Sequence, residues 1–553
     1  SLLNTLAFNT ASNVSGKLWA YLETSDELAP ILKEEPCERT LGVGKCVCKG
    51  TLAVLGLFTV VYTHAFTVLD DNDLYTSQRT LPIASMIRYI LRAKFLVYKM
   101  YWEIEDAILE NAKVPASPNA VPFGVCLRDA IVVLLKMLHD RNSRRAFCVE
   151  RTWLVEEAVT KMGKGDRFVS LLKYGAFEVA GKSKLLGVAW ERQKRLQALT
   201  AHHFLQALPF SVQFSDRLRL FNHILKDERV TFQNDEIAPI RVRIKREHVF
   251  IDGFKHMNKL GARLKQRIYV NFIDNMGNEE SGIDAGGLFK EFWTSLSKVA
   301  FDMNYGLWAL TENQLMYPSP QSNALHDNHL ELYEFLGRVL GKAIYEGIVV
   351  QPQFTFFFLR KLLGKVNTLS DLPTLDPELY KNLMFMKNYK GDIEDLCLAF
   401  TAVDSCLGVN TEVPLIPNGE NVPVTDENKL KYIYLVAHYR LNIKLQKQCS
   451  AFIRGLRDVV PLSWLGLFSE NELQSVISGI SKGIDIADLQ AHARYAGGYV
   501  SISPSVRRLW AVLKTFSQKE REKFLQFVTS CERAPPLGFS QLEPPFCIQW
   551  VPD

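Results

Sequence analysis

The sequence has almost no charge of one sign to spare. Lysine and arginine number 65, aspartate and glutamate 60, and the excess of +5 is spread over 553 residues. That balance lacks the basic footprint on which nucleic-acid binding rests, so no nucleic-acid partner is expected. Low-complexity linkers and composition-biased tails are missing too. The chain begins at Ser1 without a methionine or a charged, signal-type leader, which reads as a portion of something longer. Ten cysteines are scattered without small-scaffold spacing. The nearest trio, Cys37, Cys46 and Cys48, has no partner at zinc-type spacing. Reduced thiols in a cytoplasmic protein fit this usage, and neither a metal nor another cofactor is expected.

Long hydrophobic runs are nearly absent as well. The exception, Thr51 to Leu69, has no Asp, Glu, Lys or Arg over a length that could span a bilayer. Four threonines, His64 and Gly56 interrupt it, and a buried helix of a helical array is the expected structure, with no membrane span.

What is present is mostly helix at first. Strand-like alternation is scarce over residues 1–230. Ile83, Met86, Ile87, Ile90 and Leu91 recur at helical spacing, and further helices are expected from Asp129 to about Leu138 and near Trp153 to Met162. Paired helices suggest an armadillo-like array, although no fixed sequence period supports one. Leu208 to Val230 reads as an amphipathic linker helix. From Ile240 the texture changes: Ile240, Val242 and Ile244 alternate with basic residues, and Ile268, Val270 and Phe272 share one face of a second strand. A Gly-rich turn, SGIDAGG, then feeds a helix that Asp284 could cap; it matches neither Gly-rich nucleotide signature. The helix Leu330 to Glu346 carries one apolar stripe, with Gly337 and Gly341 on adjoining turns where another backbone could come close. The fold class is α+β.

Four phrases fall in order along the second half: SGIDAGGLFKEFW, LELYEFLGRVLGKAIYEG, VTDENKLKYIYLVAHYRLN and RGLRDVVPLSWLGLFSENELQSVISG. Together, over about Ile240 to Ile548, they resemble the HECT-type ubiquitin-protein ligases. The resemblance implies a helical extension over 1–230 that binds substrates or partners. It further implies an N-lobe over 240–480 that docks a ubiquitin-charged conjugating enzyme, and a small C-lobe over 483–553. Ubiquitin would pass from the conjugating enzyme to a ligase cysteine as a thioester, then to substrate lysines.

The residues themselves offer partial support for these roles. In ENKLKYIYLVAHYRLN the stripe Leu430, Ile433, Tyr434, Ala437 and Leu441 is expected to be buried, leaving Tyr432 facing outward as an interface aromatic. The resemblance places Tyr432 in the conjugating-enzyme groove with Leu379, Leu383 and Tyr389. Taken alone, Leu379 and Leu383, four apart, serve equally as core. The resemblance also puts an inter-lobe hinge at Gly479, Ser481 and Gly483, within SGISKG, a composition that an ordinary surface turn shares. Beyond it, Ser517 and Glu520 have capping-box spacing, and Phe524, Leu525 and Val528 form an inner face.

Thioester exchange needs a thiolate. In the family this cysteine follows a threonine, and none of the ten here does. Cys531 lies at an expected helix-ending turn and Cys547 in an expected strand. The catalytic cysteine is therefore expected beyond Asp553, which would leave Phe546, Ile548 and Trp550 short of strand partners. Three functions remain open: a HECT-type ligase, a non-catalytic binder of conjugating enzymes or substrates that competes with the full ligase, and a helical scaffold.

Overall fold

The chain is described from a computed structural model covering residues 13–24, 49–67, 69–78, 80–110, 123–163, 167–172, 192–234, 239–274, 277–280, 287–406, 409–479, 483–529, 533–542 and 545–551. Cys37, Cys46, Cys48, Asp284, Ser481 and Cys531 lie outside these residues. Two compact units emerge, Ser1–Ile224 with Gly466–Ser469, and Leu225–Leu465 with Glu470–Asp553.

In the first unit every described regular element is helical: α1 (Val14–Thr24), α2 (Lys49–Phe66), α3 (Ile83–Glu110), α4 (Phe123–Arg144), α5 (Glu156–Met162), α6 (Arg192–Ala207) and the first half of α7 (Phe214–Asn234). The uncharged run forms α2, which packs on α1 and α4. Leu55, Phe58, Val61, Tyr62 and Phe66 are buried, while Leu57 and Val60 are exposed, so the helix is apolar on both sides but buried on only one. Its threonines cost little, because Thr59 and Thr63 donate to the carbonyls of Leu55 (2.8 Å) and Thr59 (2.6 Å). Among the described residues no helix is long and apolar enough to cross a membrane. Trp19, Phe58 and Tyr89 meet with ring centroids 5.4–5.7 Å apart, an aromatic core for three helices.

The second unit opens with the second half of α7, followed by β1 (Ile240–Lys245), α8 (Val249–Met257) and β2 (Ile268–Ile273). The strands pair in parallel, Ile240 opposite Ile268, with the predicted alternation on β1. There follow α9 (Gly287–Ala300), the antiparallel pair β3 (Trp308–Leu310) and β4 (Met316–Pro318), α10 (His329–Glu346), α11 (Phe356–Leu362) and α12 (Pro377–Lys387). A hairpin, β5 (Thr401–Cys406) and β6 (Val409–Pro414), leads to α13 (Lys429–His438), α14 (Gln446–Val459) and α15 (Glu470–Ser478).

The centre of this unit is the contact between α10 and α14. A Cβ at Gly337 would lie 1.9 Å from the carbonyl oxygen of Phe452, and one at Gly455 would lie 1.8 Å from that of Glu334. Each helix therefore needs glycine where the other crosses it. The close approach expected at Gly337 is made by α14. The expected single stripe is too narrow, however: α10 is buried nearly all round, Arg338 and Lys342 included. Arg338 reaches Asp458 (2.8 Å) and Asn258, and Lys342 reaches Gln266 (3.2 Å) and Glu346, so charges on the polar side enter the interior paired.

Residues 484–548 have a core of their own. It joins α16 (Ile486–Ala491), β7 (Arg494–Ala496), α17 (Pro504–Thr515), α18 (Gln518–Thr529) and β8 (Cys547–Gln549) around Ile484, Leu489, Trp510, Leu513, Leu525 and Phe539. The predicted capping box is formed. The Ser517 N–H donates to Glu520 (2.7 Å), and the Glu520 N–H donates back to the Ser517 hydroxyl (3.4 Å). Of the expected loss of strand partners one side is made good: β8 pairs in parallel with β7, Arg494 opposite Cys547, in a sheet of two strands, and among the described residues no strand pairs with its other edge. Phe546 and Ile548 pack against the core, and the Trp550 N–H donates to Ala496 (3.2 Å).

Candidate functional site

The surface around α12 and α13 is built from the N-cap of α12 outward. Asp376 accepts the Leu379 N–H (2.9 Å), and its other oxygen takes Arg440 (3.1 Å) from the turn after α13, so one carboxylate ties both helices. Leu383 points inward and is 5% exposed, whereas Phe385, two residues on, is 62% exposed. Leu379 and Tyr389 are half-buried. Phe385 and Tyr389 lie ring to ring at 5.5 Å and, with Lys381, Met384, Asn388 and Lys390, line a shallow open depression.

On α13 the expected roles of two tyrosines are exchanged. The buried residues are Ile433, Val436 and Ala437; Leu430 and Tyr434 stand 60% and 57% exposed. Tyr432 is half-buried, its ring edge-on to Phe400 (5.6 Å) and its hydroxyl donating to Thr401 (3.4 Å); burial raises its pKa. At about 100° per residue, both tyrosines flank the buried stripe at nearly equal angles. Periodicity cannot tell which flank is covered. The strand β5, arriving from elsewhere in the sequence, covers that of Tyr432. Tyr434 is left outward, stacked on His438 at 5.8 Å. The signal that could have found Phe385 was present, since it lies on the helix face opposite Leu383.

The β5–β6 hairpin has little core beneath it, and β6 is exposed along nearly its whole length. A polar clamp holds it. Asp404 accepts from the Tyr439 hydroxyl (3.0 Å) and from Lys444. Burial pushes the Asp404 carboxyl up, but Lys444, Tyr439 and Arg440 together hold it below the ordinary value. Burial and the same contact push Tyr439 up to about 12.

Of the three predicted hinge residues, Gly479 and Gly483 are described. Both have positive φ, +71° and +51°, a conformation that favours glycine. Gly479 is also hemmed in: a Cβ there would lie 2.7 Å from the Ala534 carbonyl oxygen and 3.1 Å from the Arg533 Cβ. Arg533 donates to the Ser478 carbonyl (3.4 Å), so the stretch 533–534 rests directly on the end of α15.

The described thiols divide by environment. Cys449 is fully buried, and burial pushes it up to about 12, which makes it inert. Burial likewise raises Cys148. Cys126, Cys397 and Cys547 are exposed, the last on β8.

Residues 294–553, just under half of the chain, match the HECT-domain (ubiquitin-transferase) family, so the chain carries a domain of that family. The matched segment begins later than Ile240. Similarity to individual proteins reaches further and takes in the helical unit. Arabidopsis thaliana E3 ubiquitin-protein ligase UPL6 is 36% identical over 507 residues, 90% of this chain and 47% of that protein. Mus musculus ubiquitin-protein ligase E3B is 34% identical over 549 residues, 97% of this chain and 47% of that protein. Saccharomyces cerevisiae E3 ubiquitin-protein ligase HUL5 is 32% identical over 519 residues, 87% and 55% respectively. The chain thus spans about half the length of these relatives.

Proposed function

We propose that this chain carries the docking step of a HECT-type ubiquitin ligase: it holds a ubiquitin-charged conjugating enzyme on the α12–α13 surface while ubiquitin is passed, through a cysteine thioester, toward substrate lysines. The observation that carries this is a cluster of outward aromatics, Phe385 and Tyr434 with Tyr389 beside them, in a chain with a domain of this family. Exposed aromatics supply large contact area at small entropic cost. Leu383 and Tyr432 act from behind, Leu383 by fixing α12 and Tyr432 by fixing β5. Residues 240–480 and 483–553 are the two lobes, Gly479 to Gly483 joins them, and the helical residues 1–230 hold substrates or partners. The setting is cytoplasmic.

Thiol transfer is not assigned to any cysteine in this sequence, because none follows a threonine. Two assays test the reading. Titration with a charged conjugating enzyme should show binding that Tyr434→Ala or Phe385→Ala weakens about tenfold or more, the size of an interface anchor. Binding indifferent to both changes would remove the docking surface. A thiol-sensitive ubiquitin adduct that Cys531→Ser or Cys547→Ser abolishes would move the transfer step onto these residues. Capture of the enzyme with no adduct also fits a binder that competes with the complete ligase.

A further inference from the structure

The helix α15 leads into Gly479 and is held at both ends. At its start Glu470 is wholly buried, with Arg360 (3.2 Å) and Lys365 (3.1 Å) on one carboxylate oxygen. At its end a network of side-chain amides ties it to residues 350–354, the stretch that follows α10. Gln474 Oε1 accepts the Phe354 N–H (2.8 Å). Gln474 Nε2 donates to the Pro352 carbonyl (3.0 Å) and to the Ser478 hydroxyl (2.8 Å). Gln353 Nε2 donates to that hydroxyl as well (2.7 Å), and the hydroxyl donates back to the Gln474 carbonyl (3.0 Å). The Val350 N–H donates to Ile477 (2.9 Å).

Two properties distinguish this network from ordinary surface polarity. Every hydrogen-bonding group of the Gln474 amide is used, and the Ser478 hydroxyl, in a buried residue, accepts two bonds and donates one. The Gln474 amide also has a single workable orientation: turned over, its own N–H would face that of Phe354. Such fully satisfied networks hold one geometry.

We infer that Gln474 is a positioning residue for lobe movement: its amide, acting through Ser478 and Gln353, locks the last turn of α15 to residues 350–354, so that backbone rotation begins at Gly479 and not inside the helix. The inference rests on the reading of Gly479 and Gly483 as the joint between lobes. Gly479 suits the start of a rotation. Its φ is +71°, and its missing side chain leaves room for the Ala534 carbonyl. Without the lock, the last turn of α15 would fray, and the direction in which residues 484–548 are presented would spread.

The test uses the full 553-residue chain, with fluorophores on genetically encoded residues at the exposed positions Ile251 and Phe527, read as single-molecule distance distributions. Gln474→Ala should widen the distribution about twofold, while the melting temperature and conjugating-enzyme binding stay near those of the unaltered chain. Gln474→Glu, which keeps an acceptor for Phe354 but loses both donors, should fall between the two. Gln353→Ala, which removes one bond to Ser478, should widen the distribution less. If Gln474→Ala does not fold, the comparison with Gln474→Glu decides. A broad distribution in the unaltered chain that these changes leave as it was would overturn the role of Gln474 alone. One narrow distribution in every variant would remove the joint itself, and the proposal with it.

Discussion

Asp404 shows how one carboxylate can hold an element that lacks a core. Its folded pKa lies below the ordinary 3.8, because the pull of Lys444 and Tyr439 outweighs burial. A carboxylate depressed in this way contributes stability that is fully present above the unfolded value and is lost as pH falls through the folded one. The β5–β6 clamp should therefore be intact at pH 5 and open only below pH 3.8, the ordinary value. Amide exchange of β6, followed from pH 6 to 3, checks this; loss of protection already at pH 5 would show that Asp404 does not hold the hairpin. Asp404→Asn should loosen the hairpin at all these pH values. At this scale the sequence was legible in type but not in place. An outward aromatic on α13 was expected at Tyr432 and stands at Tyr434, because what distinguishes the two is Phe400, thirty-two residues from Tyr432 in sequence. Helical spacing reports which side of a helix is apolar, and says nothing of what a distant strand covers.

Among the elements, the crossing of α10 and α14 carries the clearest dependence on single atoms. The clash at Gly455 is with backbone, which cannot swing aside as a flexible side chain would. Gly455→Ala should cost about 3 kcal/mol or more, at the top of the range for overpacking, even though alanine favours helix by roughly 1 kcal/mol over glycine. Gly341→Ala, whose Cβ would meet the Val459 Cβ at 3.1 Å and the Leu456 carbonyl oxygen at 3.2 Å, should cost less, since these gaps call for far smaller shifts than the 1.8 Å clash at Gly455. Chemical denaturation of the three proteins ranks them; equal midpoints for Gly455→Ala and the parent would show that the helices can separate without penalty. Here the sequence read well. Strand alternation on β1 and β2, the capping box at Ser517, and glycines awaiting a neighbour on α10 are local patterns with local causes. The burial of Arg338 and Lys342 was not legible, since a charged residue on a helix wheel reads as solvent-facing until its partners, Asp458 and Gln266, are brought in from far along the chain.

For the whole molecule, the division that matters most for function lies within the second unit. Around α10 and α14 the interior is broad, with helices and strands packed on several sides. Among the described residues, 484–548 instead close over a cluster of eight buried apolar side chains, and β7 and β8 pair over only three residues. A core of that size rarely supplies more than about 3–5 kcal/mol. Local opening should therefore start there: hydrogen exchange ought to place α17 and α18 below α10 and α14 in opening free energy by about 2 kcal/mol or more, with limited proteolysis cutting first beyond Gly483. Lower local stability would also suit the proposed presentation of this part in more than one orientation, since contacts that hold it fast against Gly479 would oppose that movement. The stretch 533–534 resting on Gly479 is one such contact. Arg533→Ala should therefore leave the cluster around Trp510 intact while raising exchange at the end of α15. Equal protection across α10, α14, α17 and α18 in the parent chain would show that the small cluster is not a separate folding unit. It would also leave no energetic reason for rotation to begin at Gly479.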